Sequence, residues 1–204
     1  MSELPPTTGP PEHILYLLKD ATTKKHRSPI HDPRDPNYWW RVLPNDNSPF
    51  HRKPLGSILG SAQRISPGEL MSITERHFDK LAEYGIENAN VQHVFSEGPQ
   101  GLRLFSLNEH VTGITDSELS KNKQLRPMFR LIGSRILQYA NWVERTKQPF
   151  LLFDLPRPNQ YIYGTTVSIP EPETILFDTD PFLEPNSDNN LREFRDRADQ
   201  MVHR

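Results

Sequence analysis

The chain has 204 residues, 34% of them hydrophobic, with a formal net charge of −2 and a mean hydropathy of −0.70. That length builds one sizeable core, and the near-neutral charge gives no sign of the strongly basic face by which domains usually hold nucleic acid. Cysteine is absent, which excludes a disulfide framework, a thiolate metal site and a cysteine nucleophile together.

Residues 1–12 are rich in proline, threonine and glycine and read as a mobile tail. The opening residues Met1 to Pro6 carry neither the basic nor the apolar segment of a signal peptide. The longest apolar runs, such as Ile14 to Leu18, fall far short of the ~20 residues that span a bilayer. The expected location is therefore the cytoplasm, away from membranes. His13 to about Ala21 reads as a short helix or strand. The stretch from His31 to Asn37, punctuated by Pro33 and Pro36, reads as a turn, and Tyr38 to Leu43 as an aromatic, β-prone strand. Residues 44–68 show little periodicity and read as loop.

A helix is predicted from Ser66 to Gly85. Ser66 is the N-cap, Pro67 opens the first turn, Glu69 completes a capping box and Gly85 supplies a left-handed stop. Leu70, Ile73, His77, Leu81 and Tyr84 share one of its faces. Val91–Phe95 and Leu102–Leu107, joined by a turn at Glu97–Gly101, form a predicted hairpin. A second helix is predicted over Pro127–Arg145, with Met128, Leu131, Arg135, Tyr139 and Trp142 as its core stripe, widened by Ile132, Ile136 and Val143. Short strands follow at Phe150–Phe153, Gln160–Tyr163 and Thr174–Phe177, then a terminal helix near Leu191–Val202. The order of elements implies an α+β fold.

Phosphoryl transfer requires a carboxylate near the accepting hydroxyl, oxygen ligands for magnesium and a cation on the phosphates. Asp154 and Asn159 stand five residues apart on a proline-stiffened loop, and Asp178 ends an apolar strand about nineteen residues later. Carboxylate and amide oxygens suit a hard cation such as magnesium. The competing reading of Asp154 and Asn159 is an ordinary turn, since aspartate, proline and asparagine are turn formers. Asp178, Asp180, Glu184 and Asp188 have the chemistry of a calcium loop but lack its turning glycine. His26 and His31 lie five apart across a proline turn and form a poor ligand pair. Lys24 to Arg27 is a solvated basic run, and no Gly-x-Ser-x-Gly nucleophile motif occurs.

Asp154-Leu155 followed by Asn159 resembles the protein-kinase catalytic loop D-L-x-x-x-N, and Ile175 to Asp178 resembles the strand leading to the aspartate of D-F-G. In the same order, Trp40 to Pro44 is similar to the V-A-I-K strand and Ser66–Gly85 to the helix carrying the partner glutamate. The hairpin running into Asn108-Glu109-His110 is similar to the hinge that holds an adenine. The resemblance covers roughly residues 38–182. It implies a two-lobed kinase-like fold with a small antiparallel-sheet N-lobe (about 13–107) and a reduced helical C-lobe (about 114–204), forming a single domain over 13–204. It also implies roles. Asp154 would be catalytic, Asn159 and Asp178 would hold magnesium, and Arg41, Glu75 and Glu109 would face ATP, with Arg41 paired to Glu75 and Arg64 its rival.

Several positions depart from the pattern. No glycine-rich loop precedes Arg41, since Gly56 and Gly60 come after it. Leu152 and Phe153 replace His-Arg, Thr179-Asp180 replaces Phe-Gly, and arginine stands in place of lysine. These departures favour a degenerate, pseudokinase-like interaction or regulatory module. The alternatives are an active phosphotransferase using ATP and magnesium, and a non-kinase structural or partner-binding domain. The expected partner is another protein or a small-molecule substrate, not nucleic acid.

Overall fold

The computed structural model describes residues 12, 30–42, 67–98, 101–115, 118, 121–124, 126–157, 160–177 and 183–203. The readings placed on the tail, on His13–Ala21, on the 44–66 loop with Arg64, on the cap Ser66, and on Asn159, Asp178 and Asp180 lie outside the described residues. The rest is an α+β arrangement. The chain runs β1 (Ile30–His31), β2 (Tyr38–Val42), α1 (Pro67–Glu83), β3 (Glu87–Asn88), β4 (Asn90–Gly98), β5 (Gly101–Glu109) and β6 (Thr112–Thr115). It continues through α2 (Arg126–Arg145), β7 (Phe150–Leu152), β8 (Tyr161–Thr165), β9 (Glu173–Leu176), β10 (Leu183–Pro185) and α3 (Asp188–His203). Among the described residues no helix is long and apolar enough to cross a membrane.

The first sheet has the order β1-β2-β5-β4 and is antiparallel throughout. Its β1–β2 turn is organised by the buried Asp32. The Asp32 carboxylate accepts the Arg34 backbone N–H at 2.8 Å, the Arg34 Nε–H at 2.9 Å and the Trp40 indole N–H at 2.5 Å. Burial opposes its charge, but the hydrogen bonds from Arg34 and Trp40 outweigh burial and hold the carboxyl below the ordinary aspartate range. Asp32→Ala strips the buried Trp40 N–H of its acceptor, so a loss of about 2–4 kcal/mol is expected in urea unfolding. An unchanged midpoint would show that the turn does not depend on this cluster.

Strand pleating splits the residues of β2 between two faces. Trp40 pairs with Leu107 and Val42 with Phe105, and Tyr38, Trp40, Phe105 and Leu107 form one buried cluster. On the opposite face Trp39 pairs with Asn108 and Arg41 with Ser106.

A second hydrophobic cluster lies around the helices. Along α1 the buried residues are Thr74, His77, Phe78 and Leu81, the i, i+3, i+4, i+7 spacing of one helical face. Gly85 ends the helix with φ of 77°, the left-handed conformation the sequence predicts. A Cβ there would meet the Arg135 guanidinium carbon at 2.8 Å, and Arg135 Nη1 donates to the Gly85 carbonyl at 2.5 Å. The cap thus depends on glycine for space as well as for conformation.

The core stripe of α2 is corrected by the structure. Tyr139, Trp142, Ile132, Ile136 and Val143 are buried as predicted, but so are Phe129, Gly133 and Ala140, while Leu131 is 47% exposed and Met128 and Arg135 are half-buried. The reason is α3, which packs Phe194, Ala198 and Met201 into the same cluster. Gly133 permits that approach, because a Cβ there would sit 2.9 Å from the Val202 nitrogen.

The second sheet has the order β3-β9-β8-β6, with β3 parallel to β9, and a two-stranded ribbon pairs β10 with β7. In β6–β8, Gly113 pairs with Gly164, and a Cβ on either would collide with the partner backbone. Gly164→Ala is therefore expected to detach β6, at a cost of about 1–3 kcal/mol. Hydrogen exchange at Thr112–Thr115 checks this, and retained protection would refute it.

The described chain passes between the two sheets at two adjacent points. Ala89 links β3 to β4, and residues 110–111 link β5 to β6. The Glu109 N–H donates to the Ala89 carbonyl at 2.8 Å, the Ala89 N–H to Leu176 at 2.9 Å and the His110 N–H to Asn37 at 2.7 Å.

Candidate functional site

A cleft of about 390 Å³ opens where the two sheets meet, lined by Trp39, Arg41, Asn108, Glu109, His110, Val111, Ile162 and Phe177. Its volume lies in the range of small-molecule sites. The face of β2–β5 that carries Trp39, Arg41 and Asn108 forms one wall. The connection after β5 forms a second wall, and Ile162 of β8 with Phe177 after β9 forms a third. Arg41 is half-buried. Glu109 is buried, and its carboxylate accepts the Ser168 backbone N–H at 3.2 Å and the Ser168 hydroxyl at 2.5 Å. That side chain ties the connecting segment to the loop beyond β8.

The sequence-predicted residues separate into groups. Arg41 and Glu109 share the cleft. Glu75 is exposed on α1, and among the described residues no ion pair joins it to Arg41. Asp154 lies in the turn directly after β7 and pairs with Arg157 at 2.7 Å. Among the described residues no cluster of three or more His, Asp or Glu could hold a metal ion, while Asn159 and Asp178 lie outside them.

The Asp154 loop is anchored from three directions. The Tyr161 hydroxyl donates to the Leu155 carbonyl at 2.6 Å, and Leu155 and Pro156 are buried. The Arg197 guanidinium of α3 packs over the Phe153 ring, 4.8 Å from its centroid. On the β7 side, the Leu152 N–H donates to the Tyr139 hydroxyl oxygen at 2.9 Å, and that hydroxyl donates to Nδ1 of His77 at 2.5 Å. Burial, with a smaller contribution from the Arg76 charge, pushes the His77 pKa down to about 4, so its ring is neutral and accepts this bond at neutral pH. Burial also raises the Tyr139 and Tyr161 hydroxyls above the usual tyrosine range, keeping both protonated. The chain Leu152–Tyr139–His77 thereby joins the loop's entry strand to α1 through α2.

Sequence reasoning placed Asn108 in the predicted hinge but missed Trp39 and Ile162 as lining residues. The signal available was strand alternation, because a cleft-facing Arg41 implies a cleft-facing Trp39 two residues earlier. Compared with protein-family models, curated proteins and solved structures, the chain has no match.

Proposed function

We propose that the chain is a two-lobed kinase-like domain serving as a degenerate, pseudokinase-like interaction or regulatory module. The observation that carries this reading is the cleft. Its walls come from the segments that the resemblance assigns to nucleotide, namely β2 with Arg41, the connection at Glu109 to Val111, and Phe177, the residue before Asp178. The two separate hydrophobic clusters suit two lobes, one in the first sheet and one around the helices. Loss of turnover is supported by arginine in place of the compact lysine charge and by the absence of a glycine-rich loop before it. The Asp154 carboxylate, already engaged by Arg157, supports it further.

A thermal melt with ATP and magnesium tests the proposal. Stabilisation grows as the logarithm of ligand over dissociation constant, so a millimolar binder at millimolar concentration raises the midpoint by only about 1–2 °C. That small shift, or none, is expected. A rise of several degrees that Asp178→Ala abolishes would overturn it in favour of an active phosphotransferase using ATP and magnesium. One observation favours this second reading. The Phe177 N–H donates to the Gln160 carbonyl at 3.0 Å, so the chain neighbours of Asp178 and Asn159 lie side by side.

A further inference from the structure

Trp39 combines three properties in the cleft wall. Its indole lines the cleft. The imidazole of His31 lies against it, with ring centroids 3.7 Å apart and planes inclined by 34°, and His110, itself a lining residue, lies 5.3 Å away. Its Nε1–H is buried and, among the described residues, has no acceptor. The contrast with its neighbour is direct, since the Trp40 N–H on the other face of the strand is bonded to Asp32 at 2.5 Å.

A buried donor without an acceptor is uncommon in a native fold and destabilises it unless a ligand or water completes it. The His31 imidazole also holds the ring in place. His31 is fixed in turn by its Nδ1 contact with the Pro36 carbonyl oxygen at 3.1 Å, which makes the imidazole the donor there. A rigid indole with an unused N–H, set in a cleft of this size, matches a flat heteroaromatic ring with an acceptor atom on its edge.

We infer that Trp39 is the recognition platform of the cleft, and that it binds a planar heteroaromatic ligand through ring contact and an indole N–H bond, without need of phosphate or magnesium. This rests on the proposed kinase-like reading only in making a purine base the first ligand to try. It goes beyond that reading in assigning the affinity to the ring rather than to the phosphates. The absence of a glycine-rich loop before Arg41 agrees, because the backbone amides of such a loop are what cradle a triphosphate.

The test is a titration of the full chain followed by the indole N–H signals in a ¹H–¹⁵N spectrum. The protein has 3 tryptophans, so Trp→Phe variants assign each signal. Adenosine, ATP with and without magnesium, inorganic triphosphate and the non-nucleotide heterocycle isoquinoline serve as probes. The expected result is a saturable downfield shift of the Trp39 signal with adenosine and ATP alike, with affinities within about threefold of each other and the Trp40 signal unmoved. Trp39→Ala should weaken adenosine by about tenfold or more, the scale of losing one base–aromatic stack. Trp39→Phe, which keeps the ring and removes the donor, should fall between the two.

A response to ATP that requires magnesium and is absent with adenosine overturns the inference and leaves the kinase-like reading standing. A Trp39 response to isoquinoline but to no nucleotide sustains the platform and removes the nucleotide reading. Unchanged adenosine affinity in a folded Trp39→Ala protein, or no shift of the Trp39 signal with any probe, overturns the platform.

Discussion

Tyr139→Phe is expected to lower the unfolding free energy by about 2–4 kcal/mol, because one lost oxygen leaves two buried groups unmatched. The Leu152 N–H loses its acceptor and His77 Nδ1 loses its donor, and both residues are buried. The volume change is small, so the effect isolates the hydrogen bonds from packing. For a chain of this size the midpoint should fall by roughly 5–15 °C. Differential scanning calorimetry checks this against Tyr84→Phe, whose ring is only half-buried. A second effect follows from position. Leu152 immediately precedes the turn holding Phe153 and Asp154, so hydrogen exchange there should quicken more than at the β1–β2 turn. A midpoint within about 1–2 °C of the parent would mean that the three groups do not act as a unit. In a double-mutant cycle with His77→Leu the losses should be less than additive, since removing both partners is milder than stranding one.

The second large effect concerns acid. His77 has its folded pKa depressed from 6.5 to about 4, so the fold favours its neutral form and the unfolded chain binds the extra proton. Its contribution to stability is fully present above about pH 6.5 and is lost as pH falls toward 4. At 1.36 kcal/mol per pH unit, the loss across that window is about 3 kcal/mol. The measurement is unfolding free energy against pH for the parent and for His77→Asn, whose side-chain oxygen takes the place of Nδ1 as acceptor. The variant should show a shallower decline between pH 6.5 and 4. Equal slopes would remove His77 as the source. Asp32 acts in a separate window, since its folded pKa lies below the ordinary aspartate value of 3.8. The stability it contributes is present above that value and disappears only as pH falls below it. Asp32→Ala should therefore leave the slope above pH 4 unaltered.

Much of the local structure was legible in the sequence. The β2 strand, α1 with its Gly85 stop, the β4–β5 hairpin, α2, β7 to β9 and α3 each carry a periodicity or a terminating residue that acts over a few positions. The predicted helix and α1 at Pro67–Glu83 agree at the C-terminal end because a glycine stop is a local interaction. What tertiary structure decided was which sides of those elements meet. The α2 stripe was misassigned because Phe129, Gly133 and Ala140 are buried by a helix that begins some forty residues later. β3, β6 and β10 span two to four residues each and exist only through pairing with distant strands, so nothing within them announces a strand. The same holds for the candidate site. Arg41 and Glu109 could be named from sequence, but strand alternation alone could not say which face of β2 meets the cleft. That choice is visible only in the folded chain, where Trp39 and Arg41 of the first sheet line one cleft with Ile162 of the second. Periodicity records the neighbours along a helix or strand, whereas a cleft is made by contacts across the chain, and those arise only when separate elements compete to bury the same surfaces.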